Sequence, residues 1–238
     1  MPDVTSIMAE LKSKGRENTR AIYSRHGMDA ERLLGVSVAD LKVIAKLLKK
    51  QQALAYELYS TGVMEAMYLA GMVANGSLMS REQLQLWAKD SAGLQMISEY
   101  TVPWVTVEHP DGRKLAMEWI GSENDVLASA GWSVYSGLVM ITPDEKLNLA
   151  EIEGLLGKIV KEIHTAPNRA RSRMNSFVIA VGSYVAPLSA KAKSAAKAMG
   201  VVMVDVGDTA CKVPSALDYI AKAEAAGKIG KKKKTIRC

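Results

Sequence analysis

Apolar residues recur at helical spacing along almost the whole chain, and the breaks between the runs are short. Between 142 and 163, Leu149, Ile152, Leu156, Ile159 and Ile163 return at steps of three and four, which makes one buried stripe on a helix. The residue supply agrees. There is one Phe and aromatics are 5%, while 13 Met and many Ala fill the apolar positions, a mix that suits helix packing better than sheet packing.

On this pattern we expect helices at about 3–13, 17–25, 38–49, 51–60, 63–75, 81–89, 94–105, 111–119, 124–140, 142–163, 168–185, 188–199 and 214–226. Thr142 reads as an N-cap with Pro143 at the first helical position. Ser80 with Gln83 reads as a capping box, and Ser37 with Asp40 is a weaker version. The breaks fall at Gly27, Gly62, Asn75-Gly76, His109-Pro110 and Ala166-Pro167. Short connections favour antiparallel neighbours, and a succession of such pairs builds an all-α superhelix of HEAT-like or armadillo type. The expected layout is one helical-repeat domain over 1–226 and a basic tail over 227–238. The β-branched stretch Val201 to Asp208 departs from the helical pattern and reads as extended.

Many chemistries lack their residues. The start has no signal-peptide h-region and no apolar run approaches a membrane span. Cys211 and Cys238 make neither a disulfide framework nor zinc spacing, so free thiols in a reducing cytoplasm are expected. Lys212 beside Cys211 could lower that thiol's pKa, though an inert thiol is the default. His26, His109 and His164 stand far apart, with no HExxH, phosphate-cradling glycine loop or nucleophile elbow. We therefore expect no metal and no cofactor, and a monomer.

Charge points to a polyanion. The tail carries Lys228, Lys231, Lys232, Lys233, Lys234 and Arg237, which matches the +6 net charge of the whole chain and leaves the remainder neutral. Such a run can neutralise nucleic-acid phosphates, or can be a solvated terminus. In NRARSR, Arg169, Arg171 and Arg173 crowd an expected helix start after Pro167, where cations oppose the macrodipole. A bound phosphate would relieve that conflict, as would pairing with an acid such as Glu162. Lys42, Lys46 and Lys49 share a helix face and could track a DNA backbone or simply be its wet side.

The stretches GVSVADLKVIAKLLKK, MEAMYLAGMVA, ISEYTVPWV and MEWIGSENDVLASAGW resemble the AlkD-type DNA alkylation repair proteins, a HEAT-like family, over roughly 15–200. The resemblance implies duplex DNA on a concave face and removal of alkylated purines. A carboxylate would stabilise the oxocarbenium-like charge on the deoxyribose as the base leaves. The family's aspartate lies four residues before a proline, which Pro103 transfers to Glu99. The family's first tryptophan becomes Gln95, its arginine Ser129, and its second tryptophan falls near Ile179. Trp104 and Trp132 could supply an aromatic wall. For Glu99 the plain alternative is a solvated helix residue, and for the tryptophans it is core packing. Two functions stay open: a glycosylase using Glu99, and a relative without glycosylase residues that binds nucleic acid or protein.

Overall fold

The computed structural model describes residues 2–48 and 51–237, whose regular elements are all helices, joined by mostly short connections and one long one between Met199 and Ala216. Lys49, the last of the three lysines read from the sequence as sharing one helix face, and Cys238 lie outside the described residues. The chain divides into two compact units, Met1–Gly112 with Val206–Cys211, and Arg113–Asp205 with Lys212–Cys238. Each is made of stacked, paired helices, the HEAT-like arrangement the periodicity called for.

The first unit contains α1 (Val4–Lys14), α2 (Glu17–Arg25), α3 (Val38–Leu48), α4 (Gln52–Ser60), α5 (Met64–Val73), α6 (Arg81–Asp90) and α7 (Val102–Thr106). Helix α5 packs against both α3 and α4 and is buried along nearly its whole circumference, through Met64, Met67, Leu69 and Val73. That position requires small residues where backbones cross. A Cβ on Gly71 would sit 2.5 Å from Thr101 Cγ2, and one on Gly76 would sit 1.8 Å from the Val105 carbonyl oxygen. Two polar clasps fix the loops. Glu65, fully buried, accepts from the amides of Leu34, Gly35 (2.6 Å) and Val36. Arg32 donates to the carbonyls of Gly62 (2.7 Å), Ala92 (2.8 Å) and Asp90 (3.1 Å).

The second unit contains α8 (Gly112–Ile120), α9 (Asp125–Ile141), α10 (Leu149–Glu162), α11 (Asn168–Tyr184), α12 (Ser189–Met199) and α13 (Ala216–Ala225). The long α9 and α11 pack together, and α12 and α13 cover α11. Trp132 and Tyr135 meet Phe177 edge-on at 5.3 and 5.6 Å. At the other end of Tyr135 the phenol donates to Glu151, which also takes Arg113 Nη1 at 2.7 Å. Burial and the neighbouring carboxylate push the Tyr135 phenol up.

Two expectations change. The helix expected from Thr142 starts at Leu149. Thr142 is the C-cap of α9, Pro143 opens a 3₁₀ turn, and Asn148 caps α10 by accepting from the Glu151 amide. The expected helix at 94–105 is broken by a π turn. The stretch Val201 to Asp208, read as extended, is outside every helix and forms no strand. Val202 turns inward while Val201 and Met203 face out. Side chains hold this stretch in place of a ladder: Arg171 Nη1 reaches the Met203 carbonyl, and Asn168 takes both the N–H and the C=O of Asp205.

Candidate nucleic-acid interface

Glu99 lies in the π turn Ile97–Thr101, which runs straight into α7. Pro103 causes it. Proline has no N–H to give the carbonyl four residues back, and its ring crowds that carbonyl, which here belongs to Glu99. The backbone answers with a wider turn, in which the Val102 amide bonds to the Ile97 carbonyl. Glu99 is consequently 6% exposed, not the solvated helix residue that was the plain alternative. Gln95, one turn earlier, donates its side-chain amide to the His26 carbonyl, which fixes its direction. Thr101 is also fully buried, and its hydroxyl has no hydrogen-bond partner.

Neither tryptophan forms a wall open to solvent. Trp104 is 2% exposed and meets Tyr68 edge-on at 4.9 Å. Trp132, also 2% exposed, packs against Phe177. Aromatic side chains of this size carry more stabilisation inside than out, and both sit on helix faces that the repeat pairing buries. Ser129 is fully buried and returns its hydroxyl to the Val126 carbonyl, and Ile179 is half-buried.

The arginine-rich start of α11 already has its anion. Asp125 Oδ2 accepts the Arg169 amide at 3.0 Å and Oδ1 accepts the Ala170 amide at 2.7 Å. The carboxylate thus takes the place on the helix N-terminus that the sequence reserved for a phosphate or Glu162. Glu162 instead pairs with Lys158 at 2.6 Å. Arg171 bridges the Ala166 and Met203 carbonyls, so it acts as a strut, and Arg173 donates to the Ser172 hydroxyl. Sequence reasoning missed Asp125 because it lies 44 positions before the Arg169 amide that donates to it. The Asn-Asp pair opening α9 signalled only that helix's own cap.

The basic tail folds back onto its own unit. The Gly230 amide donates to the Ser183 carbonyl, and the Lys233 amide to the Met140 carbonyl. Lys232 Nζ reaches the Val139 carbonyl at 2.8 Å and Asp144 at 2.7 Å, while Lys233 Nζ lies 5.5 Å above the Tyr184 ring. Cations here lie at the carbonyl ends of α9 and α11, where the macrodipole favours them. Lys231, Lys233 and Lys234 remain exposed, as do Lys42 and Lys46 on α3, and Cys211 is an exposed thiol.

Stacked, paired helices define an α-helical repeat protein of HEAT-like type. The comparisons carry this further. Residues 7–192 match the family described as DNA alkylation repair enzyme, and the chain belongs to that family as a divergent member. It is 35% identical to the uncharacterised protein Lin0241 of Listeria innocua, and equally to Lmo0209 of Listeria monocytogenes. Each match covers 90% of this chain and 94% of the relative. One solved structure superposes over 100% of both chains with a TM-score of 0.91 and 34% identity. It is described as a new family of proteins related to the HEAT-like repeat DNA glycosylases with affinity for branched DNA structures.

Proposed function

We propose that this protein binds DNA, prefers branched to linear duplexes, and does not excise bases. The observation that carries this reading is the end-to-end likeness to a protein described as having affinity for branched DNA. The candidate site supports it. The residue at the family's carboxylate position is tucked into a π turn, its tryptophan neighbour is replaced by a tethered Gln95, and its arginine by a buried Ser129. Binding draws on exposed cations, among them Lys231, Lys233 and Lys234, whose phosphate contacts release counterions.

The experiment is a titration of a four-way junction and a linear duplex of equal length, repeated across a salt series. Preference for the junction with a steep salt slope supports the reading, and equal binding of both forms sinks it. The second reading, excision assisted by Glu99, is favoured by one fact: the residue there is still a carboxylate. It requires release of N7-methylguanine from duplex DNA by the unaltered protein and loss of that release in Glu99→Gln. Absence of release from both leaves the non-excising reading in place.

A further inference from the structure

Helix α3 has a buried side and an open one. Leu41, Ile44 and Leu48 are buried, and the helix packs against α5. On the open side Val43 is 59% exposed and Leu47 70%. Four residues apart, they stand one above the other on the same face. Among the described residues, no other two of the large apolar side chains left exposed lie one turn apart on one helix. Single exposed apolar residues are ordinary, but an aligned pair is a small patch whose burial free energy the isolated protein leaves unused.

Lys42 and Lys46 run alongside this pair, also one turn apart and both exposed. Neither ammonium has a hydrogen bond or ion pair to a described residue, whereas other surface lysines are paired: Lys158 with Glu162, Lys191 with Glu153, Lys193 with Glu224. The one acid on α3, Asp40, stands in its first turn and is already taken. The Ser37 hydroxyl donates to it at 2.6 Å and Arg16 pairs with it at 3.2 Å.

Two free cations beside two aliphatic side chains select a partner. An ammonium meets a phosphate as a point charge and releases its counterion. The aliphatic pair gains nothing from a continuous duplex, whose base faces are covered by stacking. At a branch point the last base pair of an arm has an uncovered face, and leucine is among the side chains that wedge against base steps. An interfacial membrane helix also joins lysines to apolar residues, but it buries a whole apolar face, and that of α3 is already used inside the protein.

We propose that the open face of α3 is the branch-point contact. Val43 and Leu47 wedge against the uncovered base pair, and Lys42 and Lys46 hold the phosphates beside it. The assignment rests on the proposed preference for branched DNA and names the surface that produces it.

A four-way junction with 2-aminopurine next to the branch, and a linear duplex of equal length, are titrated with the unaltered protein and with Val43→Ala/Leu47→Ala. Alanine suits the helix, and at these exposed positions the melting temperature stays unchanged. The expected result is a loss of about tenfold or more in junction affinity with duplex affinity intact. The rise in 2-aminopurine emission at saturation, which reports unstacking, is lost as well. Leu47→Gln, which keeps the length and helix preference of leucine, repeats the test without the apolar end. Lys42→Gln/Lys46→Gln instead weakens both substrates together and lowers the salt slope by about two.

A junction preference that survives in the apolar variants overturns the assignment and leaves the branched-DNA reading standing. Equal loss on both substrates also overturns it, because the pair then serves the duplex and not the branch. Binding to phosphatidylserine vesicles that the apolar variants lose, with junction preference kept, gives the face to a lipid surface. If the unaltered protein binds junction and duplex alike, the branched-DNA reading itself falls and the assignment falls with it.

Discussion

Both units use side chains to hold backbone groups that helices leave over, but they place those side chains at different depths. In the first unit the holding carboxylate, Glu65, is fully buried and faces three amides of the loop before α3. In the second, Asp125 is half-buried and takes two amides at a helix start, while Lys232, with a side chain 17% exposed, takes a carbonyl at a helix end. The buried clasp replaces a loop's missing hydrogen-bond ladder and has no water to stand in for it. The half-buried clasps work where solvent could substitute at moderate cost.

That difference sets an order of effects. Glu65→Ala leaves three amides without an acceptor and should destabilise the protein by about 3–5 kcal/mol. Urea unfolding measures it, and a loss below 1 kcal/mol would erase the contrast. Asp125→Ala removes a cap and should cost about 1–2 kcal/mol. Lys232→Ala, which gives up one carbonyl and an ion pair with Asp144, should cost about 1 kcal/mol. The Lys191–Glu153 pair, half-exposed on both sides, should be worth at most about 0.5 kcal/mol in a double-mutant cycle.

The tyrosines sharpen the same comparison. Tyr59 in the first unit is raised by burial, and its hydroxyl donates to the Trp87 carbonyl. Tyr135 in the second is raised by burial and by Glu151. A raised phenol favours the folded state fully below the unfolded value near 10, and this contribution is lost as pH rises through the folded value. Tyr59→Phe and Tyr135→Phe should therefore flatten the fall in stability above about pH 10. Alkaline melting curves test this, and an unchanged slope in both variants would show that other groups control alkaline unfolding.

The fold was legible because its signals are local. The stripe of Leu149, Ile152, Leu156, Ile159 and Ile163 needs no partner to be seen, and neither does the capping box of Ser80 with Gln83, which forms as read. The site was less legible because its determinants are reciprocal. Pro103 announced a helix irregularity, but burial of Glu99 also depends on Gly71 letting α5 approach the π turn. Lys232 looked like the other tail lysines until Val139 and Asp144 claimed it from more than eighty positions away. Thr142 and Pro143 carried a correct boundary with the wrong direction, ending one helix where they were read as starting another.

The folded-back tail also protects its own peptide bonds unevenly. A protease that cuts after lysine meets Lys231, Lys233 and Lys234 exposed, whereas cleavage after Lys232 requires the segment to lift from α9. The pattern of first cuts in a brief digest would thus read out how often the strap detaches.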